Sequence, residues 1–273
     1  MKEYLICVDS DGCAMDTMTI KHVRCFGPDI VEIFGLEEWT KPILTRWNDI
    51  NLYTRKRGIN RFQGLVQMLT EVDETYLKIP GLEILADWVN HTTAYSEANL
   101  KIAIEATKEN EILRKALTWS QKVNININKI PDEEKIEFTG VKEALEKIKT
   151  VADLAIVSSA NREAMEEEWV GCSLMQYVDC AMAQDAGTKA DCIRKMIEKG
   201  YDKSNIVMIG DALGDYRAAQ DAEVSFYPIL AGKEEQSWKR FSNQVLAEII
   251  SKKYTKERQK EELDLFYGNL KED

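Results

Sequence analysis

The sequence predicts an α/β fold in which a parallel sheet is interrupted, after its first strand, by a helical insertion. Short apolar runs at 4–8, 152–157, 205–209 and 223–227 have the composition of strands buried on both faces of a parallel sheet. Apolar residues at helical spacing lie between the later runs, and strands that alternate with helices indicate βαβ units. A long, mainly helical stretch separates the first run from the others.

The helices of the sheet region follow from this apolar spacing. The segments 141–149 and 189–199 each carry an apolar residue every three or four positions, which places those residues on one helix face. Thr188, with Asp191 three residues later, has the capping-box pattern that starts the second of these helices. Together the runs and helices predict a Rossmann-like parallel sheet core with a helical cap domain.

The predicted domains are an α/β core formed by 1–16 with 137–232, a helical cap inserted at 17–136, and a helical extension at 233–273. Within the cap, the segment VNININKI at 123–130 alternates strictly and predicts a short strand or an extended return segment.

The charged extension is expected to place three of its apolar residues on the core. They are Leu263, Phe266 and Leu270.

Length, composition and net charge restrict the kinds of protein that this chain can be. The chain has 273 residues, of which 44% are hydrophobic, so it can bury one large core or two. A formal net charge of −11 opposes nonspecific binding to nucleic acid or acidic membranes. The six cysteines include no C-x-x-C pair and are expected to be free thiols. We read no signal peptide in the first residues and no stretch of the ~18 apolar residues that span a bilayer. We therefore expect a cytoplasmic protein.

Oxygen-bearing side chains follow three of the predicted strands. Ligands of open α/β sheets bind beyond the carboxyl ends of the strands, so these side chains converge if the three strands are neighbours. Carboxylates from two strands supply the oxygen ligands that Mg²⁺ prefers, and a cation removes the repulsion among them. The side chains are Asp9, Asp11, Ser158, Ser159, Asp211 and Asp215.

Each of these pieces, taken alone, also has an ordinary structural explanation. A lone D-x-D is common by chance, and the GDALGD segment is often only a loop with a capping Asp. Paired serines usually belong to turns or caps, and a single lysine such as Lys189 is most often solvated. The ordered set favours a site because each member falls at its own strand end or helix start.

The set resembles the haloacid dehalogenase superfamily of phosphohydrolases, over roughly 1–16 and 137–230. The stretch Asp9-Ser10-Asp11-Gly12 matches the family's D-x-D-G motif, and Ser158 matches its strand-closing Ser or Thr. Lys189 matches the motif lysine, and IGDALGD matches the acidic loop. The helical insertion is similar to that family's cap of the first type. Cys13 departs from the Thr that commonly follows the Gly.

The resemblance implies a role for each matched residue. Asp9 is the expected nucleophile, and Asp11 is the acid and base that serves the leaving oxygen and then the attacking water. Mg²⁺ is expected to bind Asp9, the Asp11 carbonyl and Asp211, with Asp215 completing the acidic set and holding Lys189. Ser158, with Ser159 beside it, is expected to contact the phosphoryl group. We leave Asp16 outside the site.

Three functions fit this pattern. The leading one is a Mg²⁺-dependent phosphatase of a small phosphorylated metabolite. A sugar-phosphate mutase would use the same four motifs. A non-enzymatic phosphate-binding or signalling module could also cluster aspartates and a lysine at strand ends, but such a module has no use for Asp11 beside the nucleophile.

A basic cluster stands out in the acidic chain at 51–62, NLYTRKRGINRF. A solvated basic face is the ordinary explanation. Gly58 breaks the segment, which favours a loop or a helix start, where binding groups gather. Arginine presents a fork of donors suited to phosphate or carboxylate. We therefore expect Arg57, Asn60 and Arg61 to contact the anionic or polar part of the substrate.

Overall fold

Parallel strands form the sheet of the computed structural model, which describes residues 1–108 and 110–272. The strand order is β3-β2-β1-β4-β5, so the first strand lies at the centre between β2 and β4. The register pairs Val8 of β1 with Ile156 of β2 and with Ile209 of β4. The three strands with polar ends are therefore neighbours, which is the condition under which their polar side chains converge. The strands are Tyr4–Val8 (β1), Ala152–Val157 (β2), Cys180–Met182 (β3), Ile206–Gly210 (β4) and Ser225–Pro228 (β5).

Helices make up most of the remaining described chain. In chain order the α-helices are Met18–Lys21 (α1), Gly27–Phe34 (α2), Thr40–Asn48 (α3), Arg61–Thr75 (α4), Leu82–His91 (α5), Glu97–Ala106 (α6), Glu111–Asn128 (α7), Val141–Val151 (α8), Arg162–Gly171 (α9), Lys189–Glu198 (α10), Leu213–Asp221 (α11), Glu234–Arg240 (α12), Leu246–Ile250 (α13) and Lys256–Asn269 (α14). Wider π-helical turns adjoin them at His22–Phe26, Asp49–Tyr53 and Phe241–Val245. Short 3₁₀ turns lie at Glu37–Trp39, Asp132–Glu134, Met175–Tyr177, Gln184–Ala186 and Lys203–Asn205.

The chain folds into two compact units. One, here called the core unit, combines Met1–Met18 with Asp132–Asp273, and the other, the insertion unit, is Thr19–Pro131. The sheet and helices α8 to α14 belong to the core unit. The helical extension predicted at 233–273, here called the tail, is part of the core unit. Its apolar residues Leu263, Phe266 and Leu270 are buried among core residues, as predicted.

The sheet of the core unit is covered on both faces, in keeping with strands whose residues are mostly apolar. Side chains of β1 alternate between the two faces: Ile6 and Val8 pack in one hydrophobic cluster, whereas Leu5 and Cys7 pack in the other. Both clusters are closed by helices, which is the α/β arrangement predicted from the sequence. The residue after Val8 is Asp9, which lies at the carboxyl edge of this apolar sheet.

Two of the predicted strands match the structure residue for residue, and others differ at their ends. The run at 205–209 forms β4 one residue later, and the run at 223–227 forms a strand from Ser225 to Pro228. The short strand β3 was not predicted, because Cys180–Met182 offers only three residues of pattern.

The strand predicted at 123–130 is wrong, because these residues continue helix α7 to Asn128. The alternating β-branched residues do not share a face: Val123 is buried, whereas Ile125 is 56% exposed. Asn126 donates hydrogen bonds from Nδ2 to both carboxylate oxygens of Asp29, each at 3.0 Å. Tertiary contacts of this kind override the strand propensity of a β-branched segment.

The insertion unit is built around aromatic side chains. Trp47 and Trp119 are fully buried and meet edge to face with ring centroids 6.1 Å apart, and Phe26 packs against both. Trp119 also donates a hydrogen bond from its indole N–H to the carbonyl of Phe26 at 3.2 Å. Edge-to-face contacts add to the stability that burial of these large rings supplies.

All six cysteines are free thiols, as expected. In the part of the chain that the structure describes, no helix is long and apolar enough to cross a membrane.

An ion-pair cluster in the core unit joins the three helices of the tail. Glu262 of α14 is 1% exposed and lies 2.6 Å from Arg240 of α12 and 2.6 Å from Arg258, while Arg258 also lies 3.1 Å from Glu248 of α13. Arg240 donates to the hydroxyl of Tyr227 in β5 at 3.3 Å. We call Arg240, Glu248, Arg258 and Glu262 the Glu262 clamp.

We expect Glu262→Ala to destabilise the protein, because it leaves two arginines without their shared buried carboxylate. Breaking a buried pair typically costs about 3–5 kcal/mol. The arginine side chains keep 30% and 19% exposure, so solvent screening reduces the expected loss to roughly 2 kcal/mol. Urea denaturation measures it. Glu261→Ala is the matched control, since that side chain is 71% exposed and should change the stability by less than about 0.5 kcal/mol. Equal losses in the two variants would contradict the clamp.

Candidate active site at the carboxyl ends of the strands

Asp9 is the first residue after the central strand and remains tied to the sheet. Its amide donates a hydrogen bond to the carbonyl of Ile209 in β4 at 3.0 Å, which continues the ladder between β1 and β4 by one step. The residue is 6% exposed. The chain then turns sharply at Gly12, whose φ of +80° favours glycine. Asp9 is thus a buried carboxylate held on a rigid strand end.

Lys189 lies between two of the predicted carboxylates. Its Nζ is 2.8 Å from Asp9 Oδ1 and 2.5 Å from Asp215 Oδ1. The lysine opens helix α10, which the predicted capping box does start: Thr188 Oγ1 accepts from the amide of Asp191 at 3.1 Å, and Asp191 Oδ2 accepts from the amide of Thr188 at 3.1 Å. A local cap therefore fixes the position from which Lys189 reaches the strand ends.

Asp215 is fully buried in the first turn of helix α11. Its Oδ2 accepts a hydrogen bond from the amide of Ala212 at 3.0 Å, while Oδ1 faces Lys189. The side chain packs against the end of β4 at Gly210. A β-carbon at Gly210 would lie closer than 3.0 Å to the Asp215 carboxylate. The glycine before the acidic loop is therefore required by the close approach of Asp215.

Asp9, Asp211 and Asp215 form one acidic group at this edge of the sheet. One carboxylate oxygen from each lies within 4.8 Å of the others, and all three residues are buried. Asp11 offers no side-chain oxygen to this group, and its predicted metal contact was its backbone carbonyl. Three hard oxygen donors in one small volume fit a divalent cation such as Mg²⁺, which completes its shell with water or substrate oxygens.

Burial and neighbouring charges set the ionisation of the pair at the centre of the site. Burial raises the pKa of the Asp9 carboxyl well above its usual value, Lys189 opposes that rise, and Asp215 and Asp211 add to it. Burial alone would lower the pKa of Lys189, but Asp215 and Asp9 raise it above its usual value. Lys189 is therefore held as a cation, and a further positive charge near Asp9 would stabilise its carboxylate.

Asp11 lies two residues beyond Asp9 and is partly exposed. Its Oδ1 accepts a short hydrogen bond, 2.6 Å, from the hydroxyl of Thr17, which is fully buried. Thr17 was not among the predicted site residues, because a threonine six positions downstream carries no motif. Thr17 is therefore a residue that only the folded chain connects to the site.

The two serines after β2 have different surroundings. Ser158 is buried, and its Oγ accepts a hydrogen bond from the amide of Ala160 at 3.1 Å. Its own amide donates to the carbonyl of Met182 at the end of β3 at 3.0 Å. Ser159 is exposed. That either contacts a phosphoryl group stays a prediction.

The three predicted cap residues make contacts within the insertion unit. Arg57 is buried and donates from Nη1 to the carbonyl of Leu52 at 2.8 Å. Asn60 caps helix α4 by accepting from the amide of Phe62 at 2.9 Å. The segment around Gly58 is a turn that leads into this helix, as predicted.

Arg61 binds helix α7 and covers an aromatic ring. Its Nη1 donates to Asn124 Oδ1 at 2.8 Å, and its guanidinium lies 5.0 Å from the centre of the Phe26 ring. Burial lowers the pKa of this guanidinium. These contacts give Arg57, Asn60 and Arg61 structural roles, and their contact with substrate stays a prediction.

The sequence matches the family model described as haloacid dehalogenase-like hydrolase over residues 59–229. The matched stretch contains Ser158, Lys189, Asp211 and Asp215, and it begins after the Asp9-Ser10-Asp11-Gly12 segment. The chain belongs to the haloacid dehalogenase-like hydrolases. Its fold, a parallel α/β core with a helical cap inserted after the first motif, is the one expected from that family.

Solved structures support the fold assignment. A candidate phosphoglycolate phosphatase from Lactobacillus delbrueckii subsp. bulgaricus is similar at a TM-score of 0.55 and 16% identity, covering 92% of this chain and 99% of that chain. A candidate phosphatase from Clostridium difficile gives 0.51 and 14%, covering 85% and 86%. A candidate beta-phosphoglucomutase from Thermotoga maritima gives 0.50 and 19%, covering 90% and 99%. A search of curated proteins found no match. At these identities the similarity shows the fold of a haloacid dehalogenase-like hydrolase and does not choose among activities.

We expect Gly210→Ala to destabilise the core unit, because the added methyl group forces the Asp215 carboxylate away from the end of β4. Overpacking of this kind typically costs about 1–3 kcal/mol. Gly214→Ala is the matched control, since a β-carbon there meets nothing within 4 Å and the residue lies in helix α11. The control should gain up to about 1 kcal/mol from helix propensity. Urea denaturation compares the two, and equal stabilities would contradict the close approach.

Proposed function

We propose that this hydrolase is a magnesium-dependent phosphatase that hydrolyses a small phosphate monoester through an aspartyl-phosphate intermediate. The observation that carries the proposal is the buried Asp9, with Lys189 at 2.8 Å and two further carboxylates within 4.8 Å, at the carboxyl edge of the sheet. A nucleophilic carboxylate, a fixed cation and a set of hard oxygen donors are the groups that phosphoryl transfer uses.

Mg²⁺ fits the residues present. Asp9 and Asp211 supply oxygen donors from the ends of two neighbouring strands, and Asp215 supplies one from the first turn of helix α11. A divalent cation there would offset the burial and the mutual repulsion that raise the pKa of Asp9. When bound, the ion would supply positive charge that lets an anionic phosphate approach a carboxylate.

The first chemical step uses Asp9 and Asp11. A carboxylate oxygen of Asp9 attacks phosphorus, an O–P bond forms, and the bond from phosphorus to the ester oxygen breaks. The carboxyl group of Asp11 donates its proton to the departing oxygen, and the Thr17 hydrogen bond at 2.6 Å orients that carboxyl. The alcohol leaves, and Asp9 carries the phosphoryl group.

The second step returns the enzyme to its starting state. Asp11, now a carboxylate, takes a proton from a water molecule as the water oxygen attacks phosphorus. The O–P bond to Asp9 breaks, and inorganic phosphate is released. Throughout, Lys189 offers positive charge beside Asp9 and Ser158 donates to a phosphoryl oxygen. The partner that this chemistry implies is a small phosphorylated metabolite, and Arg57, Asn60 and Arg61 remain the residues proposed to recognise it.

We expect Asp9→Asn to abolish release of inorganic phosphate from 4-nitrophenyl phosphate, because an amide of nearly equal shape is not a nucleophile. Activity should fall by at least roughly 10⁴-fold, since removal of a catalytic nucleophile can cost on the order of 10⁶ in kcat. Asp11→Asn should also lose turnover. Asp221→Asn, an exposed acid on helix α11, is the control and should keep wild-type rates. Retention of more than a few per cent of activity in Asp9→Asn would exclude the assigned nucleophile.

We expect turnover to require Mg²⁺, and Ca²⁺ to inhibit, since the larger ion accepts more oxygen ligands in looser geometry and misaligns Asp9. Asp211→Asn should raise the Mg²⁺ concentration for half-maximal rate by roughly tenfold or more. Mg²⁺ should also raise the melting temperature of the wild type and of Asp221→Asn, and do so much less in Asp211→Asn. Undiminished turnover in a chelator would refute the metal assignment. Isomerisation of a sugar phosphate without phosphate release would identify a mutase.

A further inference from the structure

Two buried indole groups hold the loop that carries the proposed nucleophile. Trp169 of helix α9 donates from Nε1 to Ser10 Oγ at 2.9 Å, and Trp238 of helix α12 donates from Nε1 to the carbonyl of Cys13 at 2.9 Å. Both tryptophans, Ser10 and Cys13 are fully buried. We call residues 9–16 the nucleophile loop. The two hydrogen bonds grip this loop on either side of Asp11.

The nucleophile loop is a tight turn that transmits a displacement along its length. The carbonyl of Ser10 accepts from the amides of Cys13 at 3.2 Å, Ala14 at 2.9 Å and Met15 at 2.9 Å. The amide of Gly12 in turn donates to the carbonyl of Met15 at 2.9 Å. Asp11 lies inside this network, so a shift at Ser10 or Cys13 moves its backbone and its carboxyl together.

Trp238 is itself held firmly by the end of β5. The hydroxyl of Tyr227 donates to the carbonyl of Ser237 at 2.8 Å, and Ser237 Oγ accepts from the amide of Leu230 at 3.1 Å. Helix α12 is further tied to α14 through Arg240 of the Glu262 clamp. The indole thus provides a fixed point against which the carbonyl of Cys13 is placed.

We propose that Trp238 and Trp169 are positioning residues that set the location of Asp11 relative to Asp9 for proton transfer to the leaving oxygen. The proposal rests on the proposed phosphatase function. Each indole acts through one hydrogen bond to the nucleophile loop. Without the N–H of Trp238, the buried carbonyl of Cys13 loses its partner and the loop shifts to regain one. Displacement of about 1 Å at a catalytic group can cost roughly 100-fold in rate.

The test compares two phosphate esters whose leaving groups differ in how much they need protonation by Asp11. 4-Nitrophenyl phosphate has a good leaving group that needs little protonation, whereas phenyl phosphate needs the acid. We measure kcat/KM, which reports the steps through departure of the leaving group. In Trp238→Phe and Trp169→Phe, kcat/KM on phenyl phosphate is expected to fall by roughly tenfold or more. On 4-nitrophenyl phosphate, the factor by which kcat/KM falls should be at least threefold smaller.

Trp119→Phe is the matched control. It removes a fully buried indole that also donates to a carbonyl, that of Phe26 at 3.2 Å, but in the insertion unit. Its stability should fall while the ratio of the two kcat/KM values stays at the wild-type level. If Trp238→Phe loses equally on both esters, or if Trp119→Phe changes the ratio as much, the positioning role is overturned.

A second pair of measurements keeps the proposal decidable if a phenylalanine variant folds poorly. Ser10→Ala removes only the acceptor of the Trp169 indole and is expected to show the same selective loss on phenyl phosphate. Hydrogen exchange of residues 9–16 should rise roughly tenfold in Trp238→Phe and stay unchanged in Trp119→Phe. Unchanged exchange and an unchanged ratio overturn the proposal. Absence of phosphate release by the wild type on both esters would instead overturn the proposed function, and the exchange result would still decide whether the indoles hold the loop.

Discussion

Repulsion among buried carboxylates is the constraint around which the core unit is arranged. Asp9, Asp211 and Asp215 bring three carboxylate oxygens within 4.8 Å of one another in a region shielded from water. Lys189 offsets part of that charge by contacting Asp9 and Asp215 at once. Further positive charge would offset the remaining repulsion, so the arrangement suits a bound cation.

This electrostatic group depends on backbone features that flank its members in the sequence. Lys189 reaches it because a capping box starts α10 at Thr188, and Asp215 reaches it because Gly210 leaves room at the end of β4. Each carboxylate or ammonium stands on a strand end or in the first turn of a helix, rather than on a long loop. Rigid mounting of this kind holds like charges at distances that a flexible chain would relax.

The sequence alone predicted the central sheet and the charged site for a common reason. Strands buried on both faces are continuous apolar runs, so an abrupt change to Asp or Gly-Asp marks the strand end and the site together. Features that depend on contacts between distant residues could not be read this way. The helical form of 123–130 follows from packing around Val123 and from the Asn126 bond to Asp29. The roles of Thr17 and Gly210 likewise appear only when the chain is folded.

The basic segment at 51–62 shows why charge in a sequence does not by itself identify a ligand site. Arg57 donates a hydrogen bond to the carbonyl of Leu52, and Arg61 donates one to Asn124, both within the insertion unit. Both guanidinium groups are therefore engaged within the insertion unit, and the pattern of charges in the sequence is the same whether an arginine supports the fold or meets a ligand.

The tail packs into the core unit and contacts the nucleophile loop. Trp238 places an indole N–H on the nucleophile loop, and the Glu262 clamp ties the helix that carries it to α13 and α14. The loop is thus held by β4 through Ile209, by α9 through Trp169 and by α12 through Trp238. A tight turn passes a shift at any one of these points to Asp11. The packing of helices α12, α13 and α14 therefore affects the geometry of the nucleophile loop.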